Sequence, residues 1–310
     1  MIRLDGATVL LQWATGGLFF LWVTTRHRLV GLGYGWLLRM VFGALATGSV
    51  IAGRFGEQDV VRDAAGVFVA AATAIVLAIS IIRKRAGVSG QREVQERKKE
   101  RVAAMAAKAP SADSVNLEDL GADTITMRDE FGRAMGEVET ISGEGPEFAP
   151  NLDLIAPAIG MVGLISGAIS AGGTVWLALA RTVVGAFFLG AVSDAMLLGH
   201  WYLVQPGLSR KPIGELNDWL LKIWPLEVAL LLVPTGMFSV FNGTIDDHYG
   251  GMLGWFWVAC AITTGGLAWV TRLALRERFY SAVMAATGLL YLAILTAFGT
   301  DLVARAILAG

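Results

Sequence analysis

Long apolar stretches constrain the fold of this chain more than any other sequence feature. A helix that crosses the hydrocarbon core of a bilayer needs about 20 mainly apolar residues, and eight segments meet that requirement. They are approximately Ala7–Val23, Tyr34–Ala52, Ala64–Ile82, Leu154–Ala171, Val175–Leu198, Ile223–Phe241, Met252–Val270 and Ser281–Phe298. None alternates apolar and polar residues as a strand does, so helices are the way to satisfy the backbone in lipid. The sequence predicts an all-α polytopic transmembrane bundle of about eight spans.

Composition agrees with a membrane protein. Charged residues make up 16% of the chain, whereas ordinary soluble domains carry roughly 25%. The few charges are also segregated along the chain, so they cannot form a continuous polar surface around a soluble core. The lipid bilayer is therefore the expected environment of most of this chain.

A charged insert separates the third predicted span from the fourth. It divides the chain into a three-helix region (1–83), an insert (84–153) that is partly helical or disordered, and a five-helix region (154–310). The insert is basic at its start and acidic towards its end, and spacing of apolar residues predicts one amphipathic helix over 125–141.

The basic run at 83–101 predicts contact with anionic lipid headgroups, at about 1 kcal/mol per basic residue near the surface. Nucleic acid is not an expected partner, because no aromatic side chain lies among these charges.

Lysine and arginine positions predict the orientation of the chain. Loops on the cytoplasmic side carry an excess of basic residues. With the 84–153 insert in the cytoplasm, 20 of the 25 basic residues fall on that side, and the reverse orientation leaves five there. The sequence thus predicts a multi-pass protein of the cell inner membrane with both termini outside and the insert cytoplasmic.

The fourth predicted span has a spacing of small residues that is typical of close helix packing. Gly163 and Gly167 stand four residues apart, as do Ser166 and Ser170, and such residues let helix backbones approach. Because the loop to the fifth span is short, we expect these two spans to form a tight antiparallel pair. The alternative is a face that opens for a ligand.

Ionisable residues within predicted spans are the default candidates for function, because they are costly in lipid. Five polar residues fall near the predicted cytoplasmic leaflet: His27, Arg39, Asp194, His200 and Glu227. Their shared depth predicts one functional cluster there. Separate interfacial residues and ordinary salt bridges are the alternative.

The segment GHWYLVQPGLSRKP, residues 199–212, is the most distinctive in the chain. It places His200, Trp201 and Tyr202 at the predicted membrane surface. A histidine backed by aromatic rings is suited to ligating a haem or hydrogen bonding a quinone, and His27 is the other candidate axial ligand. An interfacial aromatic belt is the alternative.

Residues Gly199 to Arg210 resemble a GHWYL–P–L segment of polytopic bacterial membrane proteins that have no known activity. The resemblance covers about a dozen residues. It implies a bacterial inner-membrane protein and a role for His200, and it implies no reaction.

Motifs of familiar enzymes are missing from the sequence. There is no GxxxxGK[ST], GxGxxG after a strand, HExxH or CxxC, and Cys260 is the only cysteine, so no cysteine-based metal site is expected. No other metal site is expected from three histidines.

The leading functional expectation is a non-catalytic or accessory subunit of a membrane assembly, such as a respiratory one, that contacts partner proteins or further copies of itself. In that reading His200, Trp201, Tyr202 and Asp194 form a quinone site or contact a haem edge. The first alternative is a small-molecule transporter. The second is a membrane enzyme that acts at the cytoplasmic lipid surface and uses Asp194, Glu227 and His200 as acid–base groups.

The predicted orientation is testable with reporter fusions. Green fluorescent protein placed in the insert should fluoresce, and alkaline phosphatase placed after residue 310 should be active, because the first folds in the cytoplasm and the second only after export. An active phosphatase within the insert would reverse the assignment of the two sides.

Overall fold

The computed structural model describes residues 5–56, 58–83, 100, 148–205, 208–233, 236–247, 249–277 and 279–309. These residues form nine α-helices and one short 3₁₀ helix, so the predicted all-α class is confirmed. The helices are α1 (Gly6–Thr25), α2 (Leu32–Phe55), α3 (Val60–Ile82), α4 (Ile155–Ser170), α5 (Val175–Val204), α6 (Lys211–Leu232), α7 (Gly236–Phe241), α8 (Met252–Ala274) and α9 (Tyr280–Ala309).

Within the described residues, seven segments are long and apolar enough to cross a membrane. They are α1, α2, α3, α4 with its preceding 3₁₀ helix (Pro150–Leu154), α5, α8 and α9 up to Leu308. This chain is therefore a multi-pass membrane protein.

Helix α6 also runs through the bundle, although five charged side chains make it less apolar. The Asn217 amide donates to the carbonyl oxygen of Ala268 (3.0 Å), and the Trp224 indole donates to that of Ala261 (2.8 Å). Residue numbers thus rise along α6 as they fall along α8, and the two helices pack antiparallel. Prediction of one continuous span over Ile223–Phe241 was wrong, because α6 begins at Lys211 and ends at Leu232.

The helices define two ends of the bundle. We call the end where α3 stops and α4 begins the insert end, and the opposite one the distal end. Asp153, just before α4, is buried in the bundle and pairs with Arg39 of α2. The packed region therefore resumes before residue 154. The predicted helix over 125–141 and most of the basic run at 83–101 lie outside the described residues.

Large apolar side chains point outwards around the bundle, as expected of a lipid-facing surface. Examples at least half exposed are Phe68, Ile75, Val162, Trp255, Ile262, Trp269 and Leu295. Inside, one apolar core joins side chains of α1, α2 and α5 to those of α6 and α9.

Helices α1 and α5 touch through their backbones at the centre of this core. A Cβ atom on Gly16 would lie 1.8 Å from the Ala186 carbonyl oxygen, and one on Gly190 would lie 2.3 Å from the Gly16 carbonyl carbon. Backbone atoms cannot rotate away as a flexible side chain can. Glycine is therefore required on both sides of this crossing.

The small residues of α4 also pack closely, but not mainly against α5. A Cβ on Gly163 would meet Ala65 of α3 at 2.7 Å, and one on Gly167 would meet Thr8 of α1 at 3.0 Å. The glycine face therefore contacts α3 and α1. Helix α4 also packs against α5, as expected, but less extensively than against α3 and α1.

Ser166 and Ser170 lie on the neighbouring part of α4 and donate hydrogen bonds to Asp59 (2.8 and 2.7 Å). Asp59 also accepts from the backbone N–H groups of Val61 and Arg62, so it caps α3 while holding α4.

Substituting Gly190 by alanine should lower stability by about 1–3 kcal/mol, because the added methyl meets backbone that cannot move aside. Gly288→Ala on α9 is a matched control, since nothing lies within 4 Å of a Cβ there. Thermal unfolding in detergent measures both variants. Equal melting temperatures would contradict the close crossing of α1 and α5.

Acid should weaken the α3–α4 contact through Asp59. Partial burial raises the pKa of this carboxyl, but hydrogen bonds from the Arg62 N–H, Ser170 and Ser166, with the Arg62 charge, outweigh burial and leave the pKa below its usual value. A lowered pKa means that the stabilisation is complete above about pH 4 and is lost as pH falls through the folded-state value.

The measurement is the melting temperature between about pH 6 and pH 3. Asp59→Asn should flatten the acid-side decline, and the double variant Ser166→Ala/Ser170→Ala should flatten it partly. Superimposable profiles for all three proteins would show that Asp59 does not link protons to folding.

Candidate functional site

Two acids and two arginines meet inside the bundle towards its distal end. They are Arg181 of α5, Glu227 of α6, and Asp301 and Arg305 of α9, and we call them the acid–arginine cluster. Their exposed fractions are 5%, 0%, 0% and 7%. Charges buried in a membrane protein are expensive and are the first place to look for function.

Arg305 ties three helices together. Its Nε donates to Asp301 Oδ1 at 2.7 Å, and its Nη2 donates to the carbonyl oxygen of Arg181 at 3.0 Å. With its amide oriented to satisfy both of its polar atoms, Gln12 of α1 accepts a further bond from Arg305 Nη2 at 3.0 Å. Arg305 and one oxygen of Asp301 are thus paired.

Arg181 binds the end of α6. Its Nε donates to the carbonyl oxygen of Leu230 (2.7 Å) and its Nη2 to that of Val233 (2.9 Å). The last carbonyls of a helix have no partner within the helix and carry partial negative charge. The positive charge and the N–H donors of a guanidinium therefore suit this helix end. Helix α6 ends here, and α7 begins at Gly236.

Glu227 differs from the other members of the cluster. Neither of its carboxyl oxygens has a hydrogen-bond partner, and Asp301 Oδ2 also has none. Among the described residues, Asp301, Arg305 and Arg181 are the charged groups that act on Glu227, and the Asp301 side chain lies beside it. The two carboxyl groups can bond to each other only if one of them carries a proton.

Two glycines let these groups approach. A Cβ on Gly185 of α5 would lie 2.4 Å from the Gln12 amide group and 2.6 Å from Arg305 Nη2. A Cβ on Gly236, the first residue of α7, would lie 1.9 Å from the Leu231 carbonyl oxygen and 3.0 Å from Arg181 Nη2. The cluster is closely packed, and α7 lies directly against it.

A small apolar core packs next to the cluster, on its distal side along α6 and α9. Leu231 of α6, Met237 of α7, and Ile307 and Leu308 of α9 all belong to it.

Sequence reasoning placed Glu227 at the wrong depth. Since α6 begins at Lys211, Glu227 lies sixteen residues along it, about 24 Å from the insert end. Asp301 and Arg305 were missed because the last span was predicted to end at Phe298, whereas α9 continues to Ala309. Their spacing of four residues, which puts an acid and a base on one helix face, was the available signal.

Arg39 does lie near the insert end, in a separate ion pair. Its Nε and Nη2 donate to the two Asp153 oxygens at 2.8 and 2.7 Å, and its guanidinium stacks over the Phe148 ring at 4.7 Å. This bidentate pair is 2% exposed on each side chain. It fastens the start of α4 to α2 and has no contact with Glu227.

Asp194 is deeper than predicted. It lies ten residues, or about 15 Å, before the end of α5 because α5 extends to Val204. Its side chain is completely buried, and neither carboxyl oxygen has a hydrogen-bond partner.

His27 and His200 engage different helices. His27 Nε2 accepts from Arg26 at 3.2 Å and lies 3.7 Å from Glu215 of α6. His200 is exposed, and its Nδ1 shares a 3.1 Å hydrogen bond with the Tyr291 hydroxyl of α9. The structure does not direct these rings towards one haem.

Trp201 and Tyr202 also face separate partners. The Trp201 indole donates to Gln205 at 3.1 Å, and the Tyr202 hydroxyl donates to the Ser209 carbonyl oxygen. These bonds are local to the turn between α5 and α6, where they fix the chain reversal. The five residues expected to form one cluster thus occupy several distinct environments.

Comparisons with family models, with curated proteins and with solved structures give no match to this chain.

Proposed function

We propose that this chain is a secondary transporter of small molecules in which Glu227 binds and releases the coupling proton. The observation that carries the proposal is the placement of Glu227. It is fully buried, has no hydrogen bond at either oxygen, and lies against Asp301 close to the broken end of α6.

The cluster has two alternative bonding states that differ by one proton. With a proton on Glu227, its hydroxyl is able to donate to the free Asp301 oxygen, while Arg305 keeps its bond to the other. Without that proton, the Glu227 charge has only the nearby arginines as counter-charges. Arg305 is already paired with Asp301, whereas Arg181 donates to carbonyl oxygens. Arg181 is therefore the more available counter-charge.

This difference gives protonation a mechanical consequence. An ionised Glu227 attracts Arg181, and Arg181 holds the carbonyls of Leu230 and Val233 at the end of α6. A stronger pull on Arg181 weakens its hold on those carbonyls and frees α7 to move away from α6. Discontinuous helices whose ends face a buried site form the substrate and ion sites of many secondary transporters.

The alternative of a respiratory or other accessory subunit rests on His200, Trp201, Tyr202 and Asp194. The hydrogen bonds of His200, Trp201 and Tyr202 go to separate partners. Tyr34 lies between Trp201 and Asp194, because its ring is 6.2 Å from that of Trp201 and its hydroxyl donates to the Asp194 backbone carbonyl. The acid–arginine cluster is the stronger support, and the assembly role stays a prediction from the sequence.

We also propose that the protein resides in the inner membrane with the 84–153 insert in the cytoplasm. The support is the distribution of lysine and arginine along the sequence. In this orientation the distal end faces outside, so the cluster lies nearer the outer surface, and the basic run at 83–101 meets anionic lipid.

The test uses proteoliposomes that enclose a pH-sensitive dye and carry an imposed pH gradient. Amino acids, sugars, monocarboxylates and organic cations are added outside one at a time, and the internal pH is recorded. At least one solute should discharge the gradient through the wild-type protein. Glu227→Gln should slow this discharge by at least about tenfold, because the glutamine side chain does not ionise and so cannot bind and release the coupling proton.

Glu215→Gln is the matched control. Glu215 lies on the same helix, where it pairs with Arg26 at the insert end, away from the cluster. Its substitution should leave the discharge unchanged. If no solute discharges the gradient, or if Glu227→Gln folds and transports like the wild type, the proposed function is wrong.

A further inference from the structure

A second unpartnered carboxyl lies at another depth of the bundle. Asp194 is 0% exposed and has no hydrogen-bond partner at either side-chain oxygen. It stands thirteen residues after Arg181 on α5, about 20 Å along the helix towards the insert end. It is therefore separate from the acid–arginine cluster and plays no part in the function proposed above.

The surroundings of Asp194 contain no opposite charge. Among the described residues no lysine, arginine or histidine acts on it, and the titratable neighbour that faces it from α2 is Tyr34. The preceding residue, Ser193, is held by the Trp13 indole at 2.8 Å. An ionised carboxylate at this position would be buried with no counter-charge and no donor, which is energetically unfavourable.

Aspartate is also too short to reach the membrane surface. Long cationic side chains extend to the interface from within a span, but a carboxyl on one methylene group remains where the backbone puts it. About 15 Å of α5 separates Asp194 from the insert end of that helix. The position is thus suited to a carboxyl that gains and loses a proton.

Two buried hydroxyl groups lie between Asp194 and the insert end. The Tyr34 hydroxyl donates to the Asp194 backbone carbonyl at 3.4 Å, so its oxygen lies beside the residue. The Thr24 hydroxyl, near the end of α1, lies beside the Tyr34 hydroxyl in turn. Both groups are buried. Hydroxyls are able to donate and accept at once, as proton transfer along a chain requires.

We propose that Asp194 is a proton-binding site within the membrane and that Tyr34 connects it to the insert end. A hydronium ion at that end supplies the proton and leaves water behind. The proton finishes on an Asp194 carboxyl oxygen, and the negative charge of the carboxylate disappears. This site is independent of Glu227, so its test does not depend on whether the chain is a transporter.

Infrared spectroscopy of the full-length protein in lipid tests the site directly. A protonated aspartic acid has its own carbonyl stretching band, and ¹³C labelling of aspartate shifts that band away from those of glutamic acids. Asp194→Asn should remove one such band. Asp218→Asn, at an exposed ion pair with Arg272, should remove none of the buried-acid bands.

A second variant covers the case in which asparagine disturbs folding. Asp194→Glu keeps a titratable carboxyl, so the band should disappear from the aspartate-labelled protein and appear when glutamate is labelled. If Asp194→Asn retains every protonated-aspartate band of the wild type between about pH 4 and pH 10, the proposal is overturned.

Tyr34→Phe tests the connection. After transfer to heavy water, the deuterium shift of the Asp194 band should develop at least about tenfold more slowly in this variant, because phenylalanine has no hydroxyl. An unchanged exchange rate would overturn the role of Tyr34. Unlike a packing defect, slower exchange at one assigned band reports on proton access to that residue.

Discussion

The backbone contact between α1 and α5 is the constraint on which the rest of the bundle depends. Gly16, Ala186 and Gly190 bring the two helix axes as close as their main chains allow. Side chains on either side of this contact are then fixed in depth. Gln12 reaches the acid–arginine cluster towards the distal end, while Trp13 reaches across to Ser193.

The buried polar groups of this protein lie at different depths along the bundle rather than together near one membrane surface. The Arg39–Asp153 pair at the insert end is matched in charge and geometry, and it acts as a fastening between α2 and α4. Asp194 and Glu227, by contrast, have carboxyl oxygens without donors. A satisfied ion pair resists change, whereas an unsatisfied acid has a second chemical state available at modest cost.

Hydropathy alone located seven of the eight predicted spans, because lipid demands about 20 apolar residues from any helix that crosses it. It failed for α6, whose first half carries Lys211, Glu215, Asp218 and Lys222 and therefore does not read as a span. Placing that helix start twelve residues too late moved Glu227 to the wrong end. Local sequence carries no information on which neighbours shelter a polar helix.

The sequence also did not show which helices pack against each other. Spacing of Gly163 and Gly167 correctly indicated a close contact, but it did not show that α3 and α1 are the partners of this face. Asp301 and Arg305 were overlooked because the last helix continues beyond its most apolar part. Tertiary contacts decided both points, and a single sequence records them only indirectly.

The polarity of α6 has a consequence for how the protein is made. Each charged residue at the centre of a helix raises the free energy of insertion into lipid by about 2.5–3.5 kcal/mol. A segment with five charged residues is therefore poorly able to move from the translocon into the bilayer by itself. Its indole and amide bonds to α8 form only after α8 has emerged. We therefore expect stable membrane integration of α6 to follow synthesis of α8, so that the order of translation affects the order of folding.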